Sequence, residues 1–151
     1  MNKKIFLVGM VLVLSTLHAG IVSAEEKPDV LVKQRQAVMT LQGKYFGPLQ
    51  AMAQGKFPYN AEIVARNAAY LNVLDKMPWD GFIPITKDVK SRALPEIFTD
   101  QAKFKKAQER LQEAVAKLVA VKSGNEEAAK AAIGEVGKAC GACHDNFRQK
   151  N

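Results

Sequence analysis

Hydrophobic residues recur every three or four positions over much of this chain, which is the period of an amphipathic α-helix. The pattern predicts four helices, over residues 30 to about 53, 61 to about 76, 95 or 99 to 122, and about 126 to 149. No stretch alternates between apolar and polar residues with turn residues at both ends, so no strand is predicted. The pattern alone therefore indicates an all-α protein.

Local signals mark the ends of the predicted helices. Pro28 suits the first turn of the first helix, and Gly55 is its predicted stop. Asn60 is a good N-cap for the second helix, and Pro78 ends it. The third and fourth helices are separated by Ser123-Gly124-Asn125.

The segment from residue 78 to residue 95 shows no sustained period, and its length is typical of a packed functional loop. Trp79 and Phe82 are expected to be packing residues of this loop. None of the four helices can bury its apolar stripe alone, so the four are expected to share one core. The sequence predicts an antiparallel four-helix bundle.

The first 24 residues have the features of a secretory signal peptide. Two lysines precede an apolar run over residues 5–17, and small residues lead up to a cleavage site after Ala24. The run is shorter than the roughly 20 residues that a membrane span needs. We therefore expect a signal peptide over residues 1–24 and one domain over 25–151, exported to the periplasm without a membrane anchor.

The net charge of the chain and its distribution indicate which partners to expect. The 151 residues carry 22 Lys and Arg against 15 Asp and Glu, a net charge of +7. The charge is +5 without the predicted signal peptide, which holds two lysines and no acidic residue. Lysine-rich patches such as residues 103–106 are interpreted as solvated helix faces, and a nucleic-acid partner is not predicted because both signs of charge are interspersed.

No paired carboxylates, activated nucleophile or phosphate-binding loop stands out, so an enzyme is not predicted.

Residues 140–144 form a C-x-x-C-H motif, which attaches c-type haem. Cys140 and Cys143 fall on one face of a helix, so both thiols can add to the vinyl groups along one side of a porphyrin. The imidazole of His144 can then ligate the iron as the proximal axial ligand. Alternatives are weaker, because zinc needs about four N or S ligands, a redox motif expects a βαβ unit, and a disulfide would strain a helix.

The first helix is the candidate for the other side of the haem. Its residues Val32, Arg35, Met39, Gly43 and Phe46 recur at helical spacing and share one face. Met39 lies in the middle of this stripe, where its thioether is either the sixth iron ligand or a soft core filler. Gly43 would allow the helix to approach the ring closely, and Phe46 is a candidate haem-pocket residue.

The chain resembles the class II cytochromes c, and within that class it is most similar to cytochrome c′. The resemblance covers nearly all of the chain after residue 24. It rests on the C-x-x-C-H motif with residues 145–148 after it, and on segments 33–36, 78–82, 95–98 and 133–139. It implies a four-helix bundle with one covalent haem c on the last helix, and a homodimer joined through the first two helices. The outer stripe of the first helix is apolar enough for such an interface, with Leu31, Val38, Leu41 and Tyr45.

The resemblance also implies roles for single residues. Met39 falls where low-spin class II relatives carry their Met ligand. In cytochrome c′ the same position holds an apolar residue, which can be Met, and the iron stays five-coordinate. Arg35 is implied to lie near a haem propionate and Arg148 near the proximal pocket, whereas the plain alternatives are a solvated helix arginine and a surface arginine.

Two functions therefore remain open at this point. A five-coordinate iron with an apolar distal face would bind small gases such as NO and CO, as the resemblance to cytochrome c′ implies. With Met39 as sixth ligand, the protein would be an electron carrier, and its positive charge would favour acidic redox partners.

Overall fold

The computed structural model describes residues 26–122 and 124–150, so the predicted signal peptide lies outside the described residues. Within them no helix is long and apolar enough to cross a membrane. The helices are α1 (Pro28–Ala53), α2 (Ala61–Leu74), α3 (Glu96–Thr99), α4 (Gln101–Ala120) and α5 (Glu126–Phe147). The predicted all-α bundle is confirmed, with α1, α2, α4 and α5 as its four long members.

Several predicted helix ends are confirmed by their hydrogen bonds. The Asn60 side chain accepts a hydrogen bond of 2.9 Å from the backbone N–H of Ile63, which caps α2. Asn125 caps α5 in the same way, through the N–H of Ala128 at 3.1 Å. Gly55 follows α1 with a φ of +71°, the left-handed conformation that favours glycine after a helix.

Of the two predicted starts of the third helix, the one at residue 95 is wrong, and α4 begins close to the one at residue 99. Asp100 interrupts the segment with a φ of −123° and a ψ of 64°, which are not helical angles. Its side chain accepts a hydrogen bond of 3.1 Å from the N–H of Lys103, so Asp100 acts as the N-cap of α4. The single turn of α3 therefore belongs to the loop, and α4 ends at Ala120 rather than at residue 122.

One hydrophobic core joins the four long helices, with a share from each. Its buried members are Leu49, Met52, Val64, Ala68, Leu71, Leu111, Ala114, Val115, Leu118, Ala129, Ile133, Val136 and Ala139. Leu31 was predicted to lie on the outer stripe of α1, but it is only 5% exposed. That part of the prediction is wrong, because Leu31 faces the loop around Gly81.

Neighbouring helices run antiparallel, as hydrogen bonds between them show. The side-chain amide of Asn67 on α2 donates to the carbonyl of Tyr45 at 3.0 Å. One to two turns away the amide of Gln42 donates to the carbonyl of Leu74 at 2.9 Å, so residue numbers fall along α1 as they rise along α2. Each bond pairs a partly buried amide with a backbone carbonyl and fixes the relative height of the two helices.

Pro48 lies in the interior of α1, which nevertheless continues to Ala53. Proline has no N–H, so the carbonyl of Lys44 loses its usual helical donor at this turn. Leu49 and Met52, which follow directly, are buried in the core. The core therefore holds the end of α1 in place beyond this weak turn.

Asp75 follows α2 directly and is an unusual residue to bury. It is 2% exposed, and neither oxygen of its carboxylate has a hydrogen-bond partner among the described residues. Its backbone carbonyl is used, since it accepts hydrogen bonds from Trp79 Nε1 at 2.5 Å and from Gln112 Nε2 at 3.3 Å. Burial raises the pKa of Asp75 to about 6, and the nearby charge of Lys76 offsets only part of that rise.

We predict that Asp75→Asn stabilises the protein at neutral and alkaline pH. The folded pKa lies above the ordinary value of 3.8, so burying the charge costs nothing below about pH 4 and most above about pH 6. The shift corresponds to at most about 3 kcal/mol, and a neutral buried amide recovers about 1–2 kcal/mol of it. Urea unfolding at several pH values measures the difference, which should shrink as the pH falls from about 6 to about 4.

Asp80→Asn is the matched control, because Asp80 is exposed in the same loop. It should leave the free energy of unfolding nearly unchanged at every pH. A difference between Asp75→Asn and the parent protein that does not depend on pH would contradict the raised pKa.

Candidate functional site

The last two turns of α5 bring together the three residues of the C-x-x-C-H motif. Cys140, Cys143 and His144 are all half-buried, and neither cysteine forms a disulfide. No group of three or more His, Cys, Asp or Glu residues that could hold a metal ion occurs in the part of the chain that the structure describes. A zinc site therefore lacks ligands, whereas two thiols and one imidazole suffice when iron arrives within a porphyrin.

The two thiols are kept in their protonated form. Burial, with the neighbouring Cys140 as a smaller cause, raises the pKa of Cys143 to about 11. Burial also raises the pKa of the Cys140 thiol. The thiolate is the reactive form in disulfide exchange and the form that binds zinc, so these environments disfavour both alternatives.

The surroundings of His144 favour its neutral imidazole. Burial lowers its pKa, and the positive charges of Arg148 and Arg92 lower it further, while Asp145 acts in the opposite direction. A neutral imidazole has the free nitrogen lone pair that a metal ligand needs. His144 is therefore held in the form that can bind iron.

Contacts between α1 and α5 fix their relative height. The Phe46 ring lies 3.4 Å from the point where a Cβ on Gly137 would be. One to two turns away, Gln50 of α1 and Ile133 of α5 line the same groove. Because numbers rise along α1 as they fall along α5, the two helices are antiparallel.

The alignment of α1 with α5 at Phe46 and Gly137 can be extended towards the C-x-x-C-H motif. Seven residues back along α1 from Phe46 lies Met39, and seven residues on along α5 from Gly137 lies His144. At about 1.5 Å per residue both steps cover about 10 Å, so Met39 and His144 lie level on facing helices. Gly43 is level with Cys140 by the same count.

The residues at this level fit a haem group. A Cβ built on Gly43 would meet nothing within 4 Å, so α1 has free space beside it at the level of Cys140. Phe46, one turn further along α1, packs against the core. Met39 is half-buried. A haem between α1 and α5 could be linked at its edge by the two thiols and ligated by the imidazole, all from α5, with apolar residues of α1 on its other side.

Arg35 lies one turn before Met39 and is 3% exposed. Its guanidinium donates hydrogen bonds to the carbonyl of Gly81 and, at 3.1 Å each, to the hydroxyls of Thr86 and Ser91. The guanidinium carbon also lies 4.3 Å from the centre of the Phe82 ring. The alternative of a solvated helix arginine is therefore wrong, and the role beside a propionate stays a prediction.

Aromatic side chains of the loop, α4 and α5 pack together at the end of the bundle where α5 ends. Trp79 and Phe82 pack as expected, with ring centres 6.2 Å apart. Phe104 of α4 lies 5.1 Å from Phe82 and 5.1 Å from Phe147 of α5, so it joins the loop to the helix of the motif. The interpretation of residues 103–106 as a solvated helix face is therefore wrong for Phe104. This residue is a single apolar position between lysines.

Arg148 does not lie on the helical face of His144. α5 ends at Phe147, and Arg148 is extended, with a φ of −129° and a ψ of 133°. It pairs with Ala93 of the loop in an isolated antiparallel bridge, which the sequence pattern does not predict. The helix predicted to reach about residue 149 therefore ends before Arg148, but the exposed guanidinium is close enough to lower the pKa of His144.

Comparison with known proteins agrees with this geometry. A family model described as Cytochrome C' matches residues 30–148. The chain is 42% identical over 127 residues to a cytochrome c′ of Rubrivivax gelatinosus, which covers 83% of this chain and 98% of the relative.

Solved structures show the same similarity. A nitric oxide complex of a variant of cytochrome c prime from Alcaligenes xylosoxidans has a TM-score of 0.75 and 38% sequence identity, and covers 82% of this chain and 98% of that chain. A carbon monoxide-bound variant from the same organism has a TM-score of 0.75 and 38% identity, with the same coverage of 82% and 98%.

We predict that Gly81→Ala destabilises the protein. An added Cβ would come within 2.8 Å of the Leu31 carbonyl and within 2.8 Å of the Arg35 Cβ, and the first of these is backbone that cannot rotate away. Such overpacking typically costs about 1–3 kcal/mol. Urea unfolding measures the loss.

Gly47→Ala is the control for this substitution. Gly47 lies within α1, and an added Cβ there would meet nothing within 4 Å. Helix propensity should therefore stabilise that variant by up to about 1 kcal/mol. Equal stabilities of the two variants would contradict the close approach of the loop to α1.

Proposed function

Because the chain belongs to the cytochrome c′ family, we propose that it is an exported haem protein whose iron binds small gases such as NO and CO at an open distal face. The observation that carries this proposal is the similarity over nearly the whole domain to cytochromes c′, including two solved relatives with bound NO or CO. The members of this family carry one covalent haem c, and the motif residues of this chain fit that group.

Each residue of the site has a proposed part in holding the haem. Cys140 and Cys143 form the two thioether links, and His144 is the proximal ligand. Phe46 packs at the edge of the ring, and Arg35 lies close enough to the site to pair with a propionate. When bound, the haem supplies an iron that exchanges electrons and binds diatomic gases.

The distal face explains which gases the site would take. His144 is the sole histidine among the described residues, so no second imidazole can donate a hydrogen bond to a ligand there. NO and CO need no hydrogen bond to bind iron, and the two solved relatives of Alcaligenes xylosoxidans hold these gases.

The alternative is a six-coordinate electron carrier with Met39 as the distal ligand. The level position of Met39 and His144 supports it as well, because a thioether there could supply the iron with a second ligand. The similarity to cytochrome c′ with bound NO and CO favours the open face. Electron transfer between Fe(III) and Fe(II) is compatible with both proposals, and neither includes an enzymatic reaction.

We also propose that residues 1–24 are a signal peptide and that the domain works in the periplasm. The family match lies within residues 30–148, and 98% of the Rubrivivax gelatinosus relative aligns with 83% of this chain. The net charge of +5 that remains after residue 24 favours an acidic redox partner.

A homodimer through α1 and α2 is part of the proposal. Leu41 is 39% exposed and Val73 is 60% exposed, and the antiparallel register sets them at similar heights. Tyr70 on α2 and Met77, shortly after the end of α2, are also exposed. Four large apolar side chains at the surface fit a self-complementary contact between two copies.

We predict high-spin visible spectra for the ferric and ferrous protein, with shifts on addition of CO or NO. Met39→Leu should leave the spin state unchanged, because an apolar residue of similar size still covers the distal face. Absorption spectroscopy measures both. Met77→Leu is the control, since it makes the same chemical change at an exposed position.

A low-spin spectrum with a ferric band near about 695 nm that disappears in Met39→Leu would overturn the open distal face and favour the electron carrier. A high-spin spectrum that does not respond to CO or NO would contradict gas binding while leaving the haem site intact.

We predict a dimer by light scattering at about 10 μM protein. Val73→Glu should give a monomer, because a buried carboxylate without a partner weakens the contact by several kcal/mol. Val119→Glu, at an exposed valine near the end of α4, should remain dimeric. A parent protein of monomeric mass would refute the proposed interface.

A further inference from the structure

Residues 91–94, called here the proximal strap, run beside the residues that end α5. The backbone N–H of Gln149 donates to the carbonyl of Arg92 at 2.9 Å, and the N–H of Leu94 donates to the carbonyl of Phe147 at 3.0 Å. The Arg92 guanidinium adds a third hydrogen bond, of 2.7 Å, to the carbonyl of Gln149. The strap therefore forms hydrogen bonds with the residues on both sides of Arg148.

The other end of the proximal strap is held by α1. The Ser91 hydroxyl accepts hydrogen bonds from the Arg35 guanidinium at 3.1 Å and from the N–H of Ala93 at 3.3 Å. Arg35 is itself buried and bound to two further groups of the loop. The strap is thus fixed between the helix of Met39 and the helix of His144.

The hydrogen bonds of the strap are connected to His144 through the backbone of Arg148. The N–H of Arg148 donates to the carbonyl of His144 at 3.1 Å, which closes the last turn of α5. Arg92 and Arg148 both bring positive charge towards the imidazole, and Asp145 is the acidic group that acts on it from the helix. Backbone position and local charge around His144 therefore both depend on residues that the strap holds.

We propose that Arg92 is a positioning residue for the proximal side of the haem. It fixes the residues after α5 through Gln149, and its guanidinium adds positive charge near His144. The inference rests on the proposed ligation of iron by His144, but it is independent of whether the distal face is open.

Two effects follow from this role. A positive charge near the iron favours the reduced state, which carries one positive charge fewer, so loss of the guanidinium lowers the reduction potential. The hydrogen bonds that hold the end of α5 limit rotation of the imidazole. Their loss would therefore change the bond between iron and histidine. A residue with a merely structural role at the surface would do neither.

The experiment uses the haem-loaded protein and four variants. Arg92→Gln removes the charge, and Arg92→Lys keeps it. Gln149→Pro keeps every charge but removes the N–H that donates to Arg92, and Arg148 already has the extended conformation that precedes proline well. Lys90→Gln is the control, because it removes one exposed charge from the same loop.

Redox titration and resonance Raman spectra of the ferrous protein are the two measurements. Arg92→Gln should lower the reduction potential by more than Lys90→Gln does, and Arg92→Lys should restore it. Gln149→Pro should shift or broaden the iron–histidine stretching band. The pair of Arg92 variants decides the charge effect even if Gln149→Pro does not fold.

The outcomes separate this inference from the proposal on which it rests. A parent protein without an iron–histidine band would overturn the ligation by His144 and the inference with it. A parent protein with that band, combined with an Arg92→Gln shift no larger than that of Lys90→Gln, would overturn the inference alone.

Discussion

The antiparallel packing of α1 on α5 is the constraint on which the site depends. Phe46 lies against α5 beside Gly137, where an added Cβ would be 3.4 Å from the ring, and this contact marks the height of one helix against the other. From that contact the helix rise brings Met39 level with His144 and Gly43 level with Cys140. Gly43 has open space beside it even for an added Cβ, and together with the contact at Phe46 this agrees with the proposed haem site.

Positive side chains outnumber acidic ones around this site. The hydrogen bonds of the buried Arg35 go to a carbonyl and two hydroxyls rather than to a carboxylate. Arg92 and Arg148 add charge near His144, and Asp145 opposes them. A buried cation that meets only neutral acceptors leaves its charge uncompensated, and this supports the proposed location of the haem propionates.

Local features of this protein were predictable from sequence, and long-range ones were not. The caps at Asn60 and the stop at Gly55 depend on a few neighbouring residues, and the C-x-x-C-H motif lies within one turn and a half of α5. Periodicity left the start of the third helix open between residues 95 and 99, and the cap at Asp100 decides between them. The partners of Arg35, the burial of Asp75 and the bridge between Ala93 and Arg148 join residues far apart in the sequence. Periodicity and spacing along one helix carry no information on such pairs.

Pro48 divides α1 into two parts with different mechanical roles. The part after it is clamped by Leu49 and Met52 in the core, whereas the part before it carries Met39 and the wall of the haem site. A helix bends most easily where a backbone hydrogen bond is already missing. Any bending of α1 near Met39 is therefore expected to centre on this turn, and the hydrogen bonds of Arg35 and Gln42 oppose it.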